Sequence, residues 1–491
     1  MNGEEKMTEA MWQGNYGSLF VGGEWLPGTS GEKLEVVSPY TEQTIAEVPL
    51  GSNEDIDRAV AAARRAFDEG PWPKISLDER IAVVERLAAE MKTHELDMAT
   101  LVTAEMGTPI AHSVPIQAER PRRVVEEMIE VARTYPFDEI REAATGRAKV
   151  TRTPKGVLAA MVPWNAPHLI TMYKLTPALL TGCTVVVKCS PEAPLDQYLL
   201  AEMATRAGVP AGVINFVPAR RGPSQHLVQH PGVDMVSFTG SSPVGKDIAS
   251  KCAPMLRPCT LELGGKSAAL VLDDVDVDTI ANGLIQMAYR SNGEVCTAKT
   301  RFILPRSRSQ EVIEAMKAIL DELKIGDPFD DETYFGPLVS SGHRDRVAGM
   351  IERAIADGAT PVVGGAGRPE GLDTGWFVRP TLFTNVERDF EVHQDEVFGP
   401  VGIVLEYDTL EEGIEIANDS QYGLSGSVFS QDVDRAVDAA SRIDTGMVEV
   451  NGNPAGIAAP FGGWKDSGIG YELGSEGFDD LVMLKSIGLP R

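Results

Sequence analysis

From residue 157 onward, short β-branched runs alternate with helical stretches, and no other feature of this 491-residue chain limits its fold as strongly. GVLAAMVP, CTVVVKCS, GVINFV, VDMVSFTGS and CTLELGG read as strands. HLITMYKLTPALLTG, the stretch at about 194–206, the segment after Arg220 and the one from Ser242 read as helices between them. Strands alternating with helices predict a largely parallel sheet with a crevice at its carboxyl edge. A second αβ series follows, with helices near 276–291, 307–324 and 341–357, strands near 300–304 and 400–405, and a further αβ stretch around 409–450. Upstream, helical patterns occupy 53–68, 77–93 and 116–134, the first capped by Asn53 or a polar neighbour. Ala148–Thr153 reads as a strand ended by Pro154.

That much αβ structure in 491 residues calls for two or three domains, and 43% hydrophobic content with 48 glycines suits a folded enzyme rich in turns. The formal charge of −27 offers no long-range attraction to nucleic acid or to an anionic membrane. The longest apolar runs, such as Val157–Val162, are far below membrane-spanning length. Cysteines 183, 189, 252, 259 and 296 form no CxxC pair and no zinc-like cluster with histidine, which fits reduced thiols in a cytoplasmic protein and no metal site. The polar, acidic start MNGEEKMTEAMWQGNYG reads as a loose tail, not a secretory signal.

Several residues suit chemistry. Cys296, in RSNGEVCTAKTR, follows a helical pattern and precedes a strand; a nucleophilic cysteine there needs a cation, a helix start or hydrogen-bond donors to stabilise its thiolate. The alternative is a small buried hydrophobe, which is the reading Cys183 and Cys189 receive. Glu262 ends an apolar strand and meets two glycines, a placement that permits close approach to a reacting centre and a raised pKa. Asn165 in VPWNAP can cap a helix or donate its amide to an oxyanion. The amides around Gly240 and Ser241 can bind phosphate at a helix start, although no GxGxxG or GxxxxGK[ST] signature is present. Lys188, at the end of an apolar strand, can meet a ribose or phosphate oxygen or lie on the surface.

Taken in order, MVPWNAP (161–167), VVVKCSPEAP (185–194), GVPAGVINFV (208–217), FTGS (238–241), LELGGKS (261–267), NGEVCTA (292–298), EVFGP (396–400) and PFGGWKDSGIG (460–470) resemble the aldehyde dehydrogenase superfamily across essentially the whole chain. The resemblance implies that Cys296 is the nucleophile, Asn165 the oxyanion-supporting amide, and Glu262 the residue that activates deacylating water. It implies Lys174 near a proton path, Lys188 at the cofactor ribose, and Trp164 and Ser241 beside the dinucleotide phosphates. Glu396 would contact the nicotinamide ribose, and Phe398 would help position the nicotinamide. The implied reaction oxidises an aldehyde to a carboxylate through a thiohemiacetal and a thioester. NAD is the expected cofactor and NADP a possible one. A common NAD-favouring glutamate three residues after the cleft lysine is Pro191 here, with Glu192 one place later. Glutamine often stands at the position of Glu294, and asparagine at that of Ser291.

The implied fold is α/β: a Rossmann-like cofactor domain (14–136 and 157–264), an αβ catalytic domain (265–458), a segment returning to the active site (459–479), and a small β oligomerisation arm (137–156) completed by the tail 480–491. Such chains form homodimers or dimers of dimers. Two alternatives stand beside the leading reading: a CoA-acylating semialdehyde dehydrogenase, which Glu262 disfavours, and a catalytically silent binding protein. For the aldehyde passage, Ala166, Leu169, Ile170 and Tyr173 are expected on one side, and Arg290, Val295, Thr297, Ala455 and Phe461 on the other. The small Ala166 and the apolar neighbours predict a medium or large apolar aldehyde. An inward-pointing Arg290 would instead suit a distal carboxylate.

Overall fold

The computed structural model describes residues 12–490. The expected N-terminal tail falls mostly on residues 1–11, outside the described ones. The strand–helix alternation folds into an eight-stranded sheet. Its five parallel members run in the order Ile214–Pro218, Thr184–Cys189, Val157–Met161, Met235–Thr239, Cys259–Glu262. Order reverses at Val157–Met161, so the carboxyl ends around Met161, Lys188 and Thr239 open a crevice at the switch point. A short strand from far downstream, Gly468–Ile469, pairs antiparallel with Cys259–Glu262 and sets Gly468 opposite Glu262.

The helices form for local reasons. Asn53–Asp68 is capped not by Asn53 but by Ser52, whose Oγ accepts from the Asp55 amide while the Asp55 carboxylate accepts from the Ser52 amide. Leu77–Thr93 repeats the device with Ser76 and Glu79. Pro167–Thr181 is buried along its entire length, which is why its sequence lacks a polar face. The same reason hides Glu95–Met106, a helix the periodicity does not reveal: its last nine residues are all buried.

A seven-stranded sheet carries the second half. Val401–Tyr407, Arg301–Pro305, Ala268–Val271, Ser425–Phe429 and Met447–Val450 lie side by side and parallel. Two separate apolar clusters cover its two faces, as expected for an αβ layer structure. A third, antiparallel sheet joins Asp138–Ala143, Gly146–Pro154 and Val482–Leu489, in register from Val482 opposite Pro154 to Leu489 opposite Arg147. Pro154 is its strand's last residue rather than a stop beyond it. Among the described residues, no helix is long and apolar enough to cross a membrane.

Candidate active site

Helix Val277–Tyr289 delivers the chain to Cys296 through a sharp reversal. Ser291, Asn292 and Gly293 take left-handed φ values of 52°, 59° and 70°. Such a conformation costs a non-glycine residue about 1–2 kcal/mol, and Asn292 offsets it by donating to Pro337 O (2.9 Å) and accepting from Gly336 N (2.8 Å). Gly293 has no substitute, because a Cβ there would run into the Gly399 carbonyl. Beyond the turn, Cys296 sits half-buried. Burial pushes its thiol up to about 12, the Glu396 and Glu262 carboxylates add to the rise, and the Thr297 and Cys296 amides oppose it. The resting sulfur is therefore protonated and needs a base.

Asn165, at the mouth of helix Pro167–Thr181, donates from Nδ2 to the Glu294 carbonyl at 2.9 Å. One amide proton thus anchors Asn165 two residues before the sulfur, and the second remains for a ligand. The Glu294 side chain is fully buried; one oxygen accepts from Val339 N (3.0 Å) and the other has no partner. Burial holds this carboxyl well above the usual range. A neutral carboxylic acid there has the donor–acceptor character of the glutamine expected from the family pattern.

Glu262 is 2% exposed and neither carboxylate oxygen finds a hydrogen bond. Desolvation raises its pKa well above the usual range, Glu472 raises it further, and Lys174 pulls it down. Lys174 bonds Glu472 Oε1 at 2.5 Å and Ser237 Oγ at 2.9 Å, with both partners of the ion pair almost sealed from solvent. A carboxyl, an ammonium and a second carboxyl thus follow one another from the Cys296 side of the site. Glu472 belongs to none of the residues singled out from the sequence. It arrives because Gly468–Ile469 pairs with the Glu262 strand and Phe461 pairs with Glu472. Close approach also requires the glycine pair after Glu262, since a Cβ on Gly265 would lie 2.7 Å from the Cys296 carbonyl and one on Gly264 2.5 Å from Glu396 Oε2.

The crevice suits a dinucleotide on four observations. Lys188 stands half-buried at the carboxyl end of its strand. Helix Ser242–Cys252 starts after Gly240 and Ser241 with no side-chain cap, leaving first-turn amides for a phosphate. Glu396 accepts from the Gly265 amide at 3.0 Å, and burial lifts its carboxyl to about 7. Phe398, at φ 58°, meets Trp164 edge-on at 5.4 Å, and His343 joins both rings while bonding the Phe398 carbonyl at 2.7 Å. Arg346 fixes this loop through the Glu396 and Val397 carbonyls, both at 2.7 Å.

Next to Cys296 opens a cavity of about 390 Å³, and its wall includes Arg290, Val295, Thr297, Ala455 and Phe461. The other expected side is different. Leu169 and Ile170 are 7% and 5% exposed and pack into the hydrophobic core rather than lining this cavity, because the whole helix is enclosed. Tyr173 reaches it indirectly, stacked edge-on against Phe461 at 5.4 Å, and Ala166 packs half-buried against the same core. Arg120, Lys299, Glu449 and Leu473 also line the wall and were not foreseen.

Elsewhere, Asp57, His226 and His230 each bring a potential ligand atom within 4.8 Å of the others. The Gly232 amide donates to His230 Nδ1 at 2.9 Å, leaving the ring proton on Nε2 facing Asp57. This arrangement is a hydrogen-bonded surface cluster.

Comparison with known proteins agrees with the geometry. The aldehyde dehydrogenase family model matches residues 25–487. Geranial dehydrogenase of Castellaniella defragrans is 41% identical, with 96% of this chain and 98% of the relative covered. The 3-succinoylsemialdehyde-pyridine dehydrogenase of a Pseudomonas species is 37% identical with the same coverage. Among solved structures, a Mycobacterium tuberculosis aldehyde dehydrogenase complexed with NAD+ superposes with a TM-score of 0.95 at 40% identity, covering 97% of this chain and 98% of that one. A mutant of aldehyde dehydrogenase C from Pseudomonas syringae, in complex with NAD+ and octanal, gives 0.94 at 35% identity, with 97% and 98% covered. This chain belongs to the aldehyde dehydrogenase family.

Proposed function

We propose that the chain oxidises aldehydes to carboxylates with NAD as hydride acceptor, through a covalent acyl intermediate on Cys296. The observation that carries the reading is Glu262, a buried carboxyl with both oxygens unpartnered, electrostatically coupled to the Cys296 thiol. A group so costly to bury is retained where a proton must be taken. The ionised form of Glu262 accepts the thiol proton, and the sulfur adds to the aldehyde carbon. The free N–H of Asn165 and the Cys296 amide stabilise the oxyanion. Nicotinamide, when bound, supplies the hydride acceptor; Glu396 and Phe398 would hold its ribose and ring, Trp164, Gly240 and Ser241 the phosphates, and Lys188 the adenosine ribose. Glu262 passes the thiol proton on through the buried Lys174–Glu472 pair and, ionised again, takes a proton from the water that attacks the thioester.

Glu192 supports NAD over NADP. Ser190 donates to its carboxylate at 2.5 Å and its charge acts on Lys188, so a 2′-phosphate on the ribose held by Lys188 would meet a nearby negative charge. Apolar walls in the cavity, a relative named for geranial and a similar structure holding octanal support a medium or large apolar-bodied aldehyde. Met483, Leu484 and Ile487, exposed on the third sheet, support residues 137–156 and 480–491 as an arm that joins a homodimer or dimer of dimers. The divisions at 136, 156, 264, 458 and 479 follow the same reading. Five free cysteines suit a cytoplasmic setting.

Product analysis with NAD and a panel of aldehydes, with and without CoA, tests the proposal. Stoichiometric NADH and free carboxylate are expected. CoA-dependent acyl-CoA formation would establish the acylating alternative, and no NAD reduction by any aldehyde would leave a silent binding protein.

A further inference from the structure

The charge in the cavity beside Cys296 runs against that of the chain. Three cations and one carboxylate line it, although the whole molecule carries −27. Lys299 and Glu449 neutralise each other at 2.9 Å, both largely withdrawn from solvent. Arg120 and Arg290 are left over. Among the described residues, no carboxylate lies within ion-pair distance of either guanidinium; surface arginines such as Arg65, Arg123, Arg220 and Arg221 are likewise unpaired, but Arg120 and Arg290 share one cavity wall. In that cavity Arg120 adds to desolvation in weakening Arg290's hold on its proton while Tyr334 and Glu449 oppose it, and Arg120 also lies against the Tyr173 hydroxyl. Both arginines are exposed at the cavity, so solvent screens part of their repulsion, while Val295, Phe461 and Leu473 give the recess apolar walls. An anion between them relieves that repulsion and gains charge-assisted hydrogen bonds to planar donors.

We propose that this recess recognises a carboxylate at the far end of the substrate, so that the preferred aldehydes have an apolar body, the carbonyl at Cys296 and an anionic terminus held by Arg120 and Arg290. The inference rests on Cys296 being the nucleophile. It takes up Arg290, whose orientation the sequence leaves open and which lines this cavity, and it adds a terminal group to the apolar contacts. Arg120 comes from the start of helix Arg120–Thr134 and Arg290 from the end of helix Val277–Tyr289, so recognition would draw on both halves of the molecule.

The test compares kcat/KM with NAD for n-alkanals and for ω-carboxyaldehydes of matched length, from about four to ten carbons. One length of the carboxylate series should exceed its matched alkanal by about 10- to 100-fold, the range of a net charge-assisted hydrogen bond, mostly through KM. Arg120→Gln/Arg290→Gln should bring that ratio to within about threefold of unity, Arg290→Lys should keep part of it, and NAD affinity measured by fluorescence titration checks that each variant is folded. No carboxylate preference at any length, or a preference that survives in the double variant, overturns the proposal while leaving aldehyde oxidation intact. Failure of both series to reduce NAD overturns the activity itself and this inference with it.

Discussion

Replacing Asn165 with alanine separates positioning from chemistry. Its amide has two N–H groups, and one is committed to the Glu294 carbonyl at 2.9 Å, so the side chain is aimed before substrate arrives. Alanine removes both. Losing the structural bond costs stability by about 1 kcal/mol. Losing the second donor removes an interaction made only with the developing oxyanion, worth about 100- to 1,000-fold in rate. Stopped-flow absorbance of NADH in the first turnover reads this step, because the oxyanion forms before hydride leaves. The burst rate should fall by that factor, with NAD affinity within about twofold of wild type. Asn165→Asp, nearly isosteric, should fall at least as far, since a carboxylate repels the oxyanion it would face. A burst within about threefold of wild type in the alanine variant would refute the assignment.

Glu262→Gln should slow the NADH burst, because the thiol loses its base, and should lower steady-state kcat further, by about 100- to 10,000-fold, because thioester hydrolysis loses its base as well. In wild type, kcat should fall as pH drops through the raised Glu262 pKa, because the protonated acid cannot accept from water, and Glu262→Gln should lose this limb. The same burial makes the folded state hold its proton longer than the unfolded chain. Denaturation should therefore show wild type losing stability relative to Glu262→Gln as pH rises above the ordinary carboxylate range, by at most ~1.4 kcal/mol per pH unit. Lys174→Met leaves Glu472 buried without its cation and should destabilise by about 3–5 kcal/mol in urea unfolding, whereas Lys174→Met/Glu472→Leu should recover most of that loss. Gly265→Ala puts a Cβ 2.7 Å from the Cys296 carbonyl, a backbone atom that cannot swing aside; kcat should drop at least about tenfold, with an altered rate of Cys296 alkylation.

The two sheets are legible because strands and helices alternate with clear turn punctuation, whereas the roles proposed for Cys296, Asn165 and Glu262 come from the family resemblance, since each local pattern alone leaves a plain structural reading open. What escaped depends on contacts far apart in the chain. Glu472 meets Lys174 across 298 positions through a two-residue strand with no periodic signature. Arg120 follows a π-helical turn, Val114–Glu119, that shifts the side-chain register, so helical spacing does not place it at the cavity. Leu169 and Ile170 enter the expected passage through the resemblance anchored on the PWN and cysteine blocks, but a helix buried on all sides offers no pattern to separate core from cavity. Of the caps the sequence allows, Asn53 or a polar neighbour, the neighbour Ser52 serves because its reciprocal partner, Asp55, is three residues later.

The account rests on a covalent acyl group at one sulfur, and mass spectrometry of an acid-quenched reaction examines that bond directly. Glu262→Gln is mixed with NAD and a medium-chain aldehyde, stopped after the first turnover, and digested. The peptide containing Cys296 should carry the acyl mass in proportion to the NADH formed, the other four cysteines should be unmodified, and hydroxylamine should remove the adduct. NADH formed in the burst without any acylation of Cys296, or with the acyl group on another residue, would contradict the mechanism.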